Sequence, residues 1–172
     1  MPATVVTRHA AQKVVRALLP WAAPASPEGF AFFTTADAIA DAFLAKYVSK
    51  PFMLGFLARA ELETGLSLTP NPDAKRHGLW GWSAERADAI LKGCEVDLVA
   101  GAMPADQVKA VMWELSSDPQ WGFKQIRSAS HDAYSAGVAV STYFSRSDDN
   151  DDAERTGLAA VRWEKDWGFT GW

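Results

Sequence analysis

The sequence predicts a mainly α-helical fold carrying at most a small β-hairpin. Three observations lead there. Apolar residues recur at helical i, i+3, i+4 spacing in one segment after another. No segment sustains the alternation of a half-buried strand. The 172 residues, 48% apolar and 22% charged, suit one globular unit that buries a single core without disulfides. The chain divides at residue 30, with an N-terminal helix and Pro-rich connector over 1–29 and the folded domain over 30–172.

Near the N-terminus, Val14, Val15, Leu18 and Leu19 mark a short amphipathic helix, and Pro20 and Pro24 break the chain after it into a connector. Lys13 and Arg16 fall inside the apolar part, so this stretch does not read as an export signal. In "TADAIADAFLAKYV", Ile39, Ala42, Phe43 and Tyr47 share a helical face, with Thr35 available as the cap. Residues 51–64 form the next helix, with Pro51 at its start and Met53, Phe56, Leu57 and Ala60 along one side. Gly65 stands where a left-handed C-terminal residue belongs. Pro70 and Pro72 then impose a loop or small hairpin. Ser83 caps a helix carrying Ala87, Ile90 and Leu91 and ending near Gly93. Residues 104–116 are the clearest helix: Pro104 fits the first position, and Val108, Val111, Met112 and Leu115 make the inner stripe. A short helix starts at Asp118-Pro119, a small-residue helix spans "HDAYSAGVAVSTYFSR", and an acidic loop leads to the last helix, capped by Asp151 or Asp152.

Composition disfavours several function classes. A net charge of −4 offers no basic field for nucleic acid. No apolar run approaches the ~20 residues that span a bilayer. One cysteine, Cys94, cannot form an internal disulfide or a CxxC metal site, and reads as a small buried hydrophobe. Asp148, Asn150 and Asp152 imitate the start of a calcium loop, but Ala153 stands at the glycine position and Ala159 at the glutamate position. His9, His77 and His131 are scattered, without zinc-ligand spacing. There is no nucleophile elbow, Walker loop or GxGxxG, so no cofactor and no metal is expected.

The stretch "ELETGLSLTPNPDAKRHGLWGWS", residues 61–83, carries what chemistry there is. Glu61 and Glu63 flank the apolar stripe of their helix on opposite shoulders. Periodicity does not choose between them, but position favours Glu63. At the extreme C-terminal end the negative pole of the helix disfavours a carboxylate anion. Desolvation by Trp80 or Trp82 would add to that, and both effects would raise its pKa, as a general acid for a glycosidic oxygen requires. Trp80 and Trp82 alternate with glycines, where an aromatic face could stack on a sugar ring. Core packing is the other reading of both, as a solvated helix end is of Glu63.

The order of these pieces resembles the phage tail lysozyme family of the lysozyme-like superfamily. The resemblance covers roughly residues 50–163 and rests on Glu63-Thr64-Gly65-Leu66, then an Asn/Pro loop, then Gly78-Leu79-Trp80-Gly81-Trp82 with Arg86 beyond. Gln107 with Glu114-Leu115, the small-residue helix "AYSAGVAVSTYF" and "AERTGLAAVRW" continue it. It implies an α-rich lysozyme-like fold over the domain. It also implies a muramidase-type glycosidase acting on peptidoglycan strands between N-acetylmuramic acid and N-acetylglucosamine, with Glu63 as the catalytic acid. His77, Trp80, Trp82, Arg86 and Gln107 are the expected substrate contacts. The expected setting is the virion or the host cell envelope, with other virion proteins as further partners and with no nucleic acid and no membrane insertion.

The chain departs from the family pattern at Gly81, where a Gln is expected. A second catalytic carboxylate is also open: Asp73 is the first candidate by location, and Glu61 the next. Two carboxylates would give hydrolysis, with their separation setting the stereochemistry. A single acid would fit a lytic transglycosylase. A chitinase-like relative and a non-catalytic virion adaptor on the same fold are the other readings.

Overall fold

The structure, a computed structural model, describes residues 27–68, 75–117 and 122–166. Within them run seven α-helices and one two-stranded antiparallel sheet. They are α1 (Pro27–Leu44), α2 (Lys50–Thr64), β1 (Arg76–His77), β2 (Trp82–Ser83), α3 (Ala84–Cys94), α4 (Pro104–Ser117), α5 (Phe123–Ala129), α6 (Ala133–Ala139) and α7 (Asn150–Asp166). A π-helical turn, Val140–Phe144, continues α6. The mainly helical fold with one small hairpin is the one the sequence predicts.

Helix α2 is the axis. Its start is fixed by Ser49, whose Oγ accepts from the Phe52 amide at 3.4 Å, with Pro51 in the first turn, where a missing N–H costs nothing. Its end is fixed by Gly65 at φ +60°, whose amide donates to the Glu61 carbonyl at 2.7 Å. Every residue from Phe52 to Ala60 is buried, so the apolar stripe expected on one side is in fact a helix enclosed all round. Helices α6 and α7 and the hairpin enclose it, and small residues let the backbones meet. A Cβ added to Gly55 would lie 2.9 Å from the Ala136 carbonyl, and one on Gly137 would lie 2.6 Å from the Thr156 carbonyl oxygen. The remaining core is strongly aromatic, with Phe43, Phe52, Phe56, Trp80, Trp82 and Phe144 in mutual edge or tilted contact.

Several local expectations shift. Thr35 does not cap α1; the helix starts earlier, at Pro27, and Thr35 is buried inside it. Pro27 suits a first helical position, and Gly29 costs too little to stop the propagating helix. Residues 1–26, with the Val14–Leu19 helix, and residues 118–121, with the Asp118-Pro119 start, lie outside the described residues. Ser83 caps α3, as its spacing predicts, accepting from the Arg86 amide at 3.3 Å. The last helix is preceded by Asp149, whose Oδ1 accepts from the Asp151 amide at 2.9 Å, so neither Asp151 nor Asp152 is the cap. Asp152 is instead turned inward, a stronger arrangement because a buried arginine waits there.

Candidate active site

The hairpin is placed by internal bonds to α2 and α4. Gln107 on α4 is buried; its Oε1 accepts from the Leu79 amide at 2.7 Å and its Nε2 donates to the Ala102 carbonyl at 2.6 Å. The Trp82 indole N–H donates to Glu114 Oε2 at 2.8 Å. Arg86 clamps the same carboxylate with two bonds, at 2.7 and 2.8 Å, its guanidinium 5.0 Å from the centre of the Phe144 ring. The Trp80 indole N–H donates to the Phe56 carbonyl of α2 at 2.7 Å. Buried polar groups of this kind must be paired, and here each has a partner of matching shape.

These bonds correct part of the expected substrate set. Trp80 and Trp82 are 1% and 0% exposed, so neither offers a face to a sugar ring. Their desolvating surfaces serve the core, where the π faces gain more from Phe43, Phe56 and Phe144 than from water. Gln107 and Arg86 likewise spend their hydrogen bonds inside the protein. They shape the site by holding the hairpin. His77 is half-buried in β1, opposite Trp82. Asp73 lies in the 69–74 segment, outside the described residues.

Glu63 sits where the end of α2 meets the hairpin, its side chain 14% exposed. The β-turn between the strands closes with the Gly81 amide donating to the Gly78 carbonyl at 3.3 Å, and Thr64 Oγ1 reaches the Leu79 carbonyl at 3.5 Å. This brings Gly81 against the carboxylate. At φ +64° a Cβ on residue 81 would stand 2.9 Å from Glu63 Oε2 and 3.3 Å from Arg76 Cδ. The left-handed backbone favours glycine at residue 81, and any side chain there would have to displace the Glu63 carboxylate. A glutamine would crowd that carboxylate from its Cβ outward.

The surroundings of Glu63 are not the apolar wall expected from sequence. Arg59, one helical turn earlier and 7% exposed, donates from Nη2 to Glu63 Oε1. Its Nη1 donates to Asp152 Oδ2 of α7, and Ser141 Oγ of the π turn lies 3.4 Å from the same nitrogen. Arg76 Nη1 stands 4.0 Å from Glu63 Oε1. Burial pushes the Asp152 carboxyl up, but the hydrogen bond and charge of Arg59, with Ser147 and Ser141, outweigh it and hold the group below its ordinary value. Glu61 takes a different path: its Oε2 accepts from Arg162 Nη2 and, at 2.7 Å, from the Trp163 indole. It joins α2 to α7, and only Glu63 faces the hairpin.

Arg59, Asp152 and Ser141 are the residues that sequence reasoning missed. Arg59 carries a usable signal, an i, i+4 pair with Glu63 on one helical face. Asp152 carries none, because 93 residues separate it from its partner. A cavity of about 570 Å³ lies at the opposite end of α2, lined in part by Lys46, Tyr47, Phe123 and Arg127, and does not reach Glu63. Among the described residues no group of three or more His, Cys, Asp or Glu side chains could hold a metal ion, and no helix is long and apolar enough to cross a membrane.

A family model described as phage tail lysozyme matches residues 34–165. The chain belongs to the phage tail lysozyme family. No curated protein and no solved structure matches it. As a member it is a lysozyme-like, peptidoglycan-acting protein of the glycosidase class. The match reaches from within α1 almost to the end of α7, so it takes in Glu63, the hairpin, and the Arg59–Asp152 pair. Among the described residues around the hairpin, Trp80, Trp82, Arg86 and Gln107 anchor it, and Glu63 stands at its edge while Glu61 turns to α7.

Proposed function

We propose that the protein is a muramidase-type glycosidase that cleaves the bond between N-acetylmuramic acid and N-acetylglucosamine in peptidoglycan strands, with Glu63 as the general acid. The observation that carries the reading is the position of Glu63, at the rim between the end of α2 and the hairpin. Its Oε1 is oriented by Arg59, and Oε2 is turned to the gap left by Gly81. A protonated carboxyl there would give its proton to the leaving oxygen of a strand lying over the hairpin, and an oriented donor raises the fraction of productive encounters.

His77 and Arg76 are the contacts proposed for the strand, since both lie on β1 at the edge of the site. Arg76 is 64% exposed, long enough to follow a carboxylate or amide of the substrate. Asp73 is the candidate for the second group, by its place between α2 and the hairpin. With Asp73 as base or nucleophile the reaction is hydrolysis; with Glu63 alone, the 6-hydroxyl of the muramic acid attacks and leaves a 1,6-anhydro end. The proposed setting is the virion, acting on the host envelope.

A second reading is supported by the same pair that orients Glu63. A carboxylate held by a buried arginine, beside a hairpin whose tryptophans are internal, also fits a virion adaptor that keeps the fold without turnover. Digestion of purified sacculi followed by mass spectrometry of the soluble fraction tests both. The enzyme reading expects disaccharide muropeptides with reducing or 1,6-anhydro muramic acid ends. No soluble product at any pH would favour the adaptor.

A further inference from the structure

Arg59 is one buried cation serving two carboxylates. Nη2 donates to Glu63 and Nη1 to Asp152, while Ser141 Oγ donates to Asp152 Oδ2 at 3.2 Å. The third element of this arrangement depends on the π turn. There Ser145 donates its amide to the Val140 carbonyl at 3.1 Å, five residues back, and Ser141 is fully buried against the pair. A π turn inside a helix often marks a functional position. An arrangement built only to join α2 to α7 would need neither Glu63 nor Ser141.

The chemistry proposed for Glu63 gives the arrangement a purpose. A general acid must carry a proton when the leaving oxygen arrives. A guanidinium bonded to Glu63 alone would be free to move with it, whereas a second carboxylate anchors the guanidinium from α7 and shares its charge. We infer that Asp152 is a positioning residue for the reaction: through Arg59 it fixes the orientation of Glu63, and its charge offsets part of the guanidinium's pull on that group. The inference rests on the reading of Glu63 as the acid.

The groups facing Glu63 support this division. From its own helix comes Arg59, while Glu61 turns away to Arg162 and Trp163. From the hairpin comes Arg76, at 4.0 Å and largely in solvent, where its charge is screened. From α7 comes Asp152, and from the π turn the neutral Ser141. Asp152 is itself held below its ordinary value, so it stays anionic over the range in which the acid would work.

Asp152→Asn removes the charge and keeps an oxygen for Arg59 and Ser141. The experiment is the pH profile of muropeptide release from sacculi by the full chain, with folding checked by circular dichroism. With Asp152→Asn the falling limb on the alkaline side should move about one unit toward acid, roughly a tenfold loss at a pH on that limb, with the acid-side rate kept. Asp152→Glu should restore the wild-type limb. Should the Asn variant not fold, Asp152→Ser, which leaves a hydroxyl beside Ser141, is expected to give the same displacement. A folded charge-removing variant with an unmoved limb, in a protein that Glu63→Gln inactivates, overturns the role of Asp152. Activity surviving Glu63→Gln would instead overturn the underlying assignment, whatever the limb does.

Discussion

Replacing Gly81 with alanine separates what this glycine does for the backbone from what it does for Glu63. The backbone part has an internal control. Gly65 has nearly the same conformation, φ +60° against +64°, but a Cβ there meets nothing within 4 Å. Each alanine places an L side chain in the left-handed region, which costs about 1 kcal/mol. In a chain of this size that lowers Tm by roughly 2–4 °C. At Gly81 the new methyl also lies 2.9 Å from Glu63 Oε2, and one of the two must move. A carboxylate at the end of a flexible side chain yields easily, so little further stability is lost. The yielding group is the proposed acid, however, and a displacement of about 1 Å costs on the order of 100-fold in rate. Thermal denaturation and muropeptide release, measured on both variants, should therefore agree in Tm and differ in activity by about two orders of magnitude. Equal activity of the Gly65→Ala and Gly81→Ala proteins would refute the placement of the reacting oxygen beside residue 81.

Three further outcomes test the frame around the site. Gln107→Leu leaves the buried Leu79 amide and the Ala102 carbonyl without partners and should cost about 2 kcal/mol in chemical denaturation. Glu114→Gln removes the carboxylate charge that Arg86, its side chain 19% exposed, clamps with two bonds, and should cost about 3 kcal/mol, with the change visible in Trp82 fluorescence. For Asp152 the sign follows from a carboxyl lowered below its ordinary 3.8 in the folded protein. Its contribution is present above that value and lost as pH falls through the folded-state value. Wild type should therefore exceed Asp152→Asn in stability at pH 7 by about 1–2 kcal/mol, and the two urea curves should converge in acid.

Much of the fold was legible because local signals agree with global ones. Pro51 and Gly65 punctuate α2, Ser83 caps α3, and the Val108–Val111–Leu115 stripe faces inward, each as spacing predicts. That Glu63 rather than Glu61 lies beside the hairpin was not stated by the sequence, which favoured Glu63 only by its place at the helix end. What was not legible depends on contacts between distant parts of the chain. Periodicity cannot say that a tryptophan in a Gly-rich turn folds under the turn, as Trp80 does to reach the Phe56 carbonyl. Nor can it distinguish an acidic residue that caps a helix from one that turns inward to a buried arginine, and Asp152 does the latter. The guanidinium beside Glu63 did leave a local signal, the i, i+4 spacing of Arg59 on the same helix, but its anchoring by Asp152 of α7 left none.

The central claim is that Glu63 supplies the proton, and one comparison addresses it most directly. Wild type and Glu63→Gln, matched for folded fraction by near-ultraviolet circular dichroism, are incubated with purified sacculi, and soluble muropeptides are quantified by mass spectrometry. Glutamine keeps the shape and still offers an oxygen to Arg59, but it has no acidic proton to give. The expected result is loss of release by at least about 1,000-fold, at the scale of removing a group the transition state depends on. Release by Glu63→Gln within a few-fold of wild type would contradict the assignment of the acid.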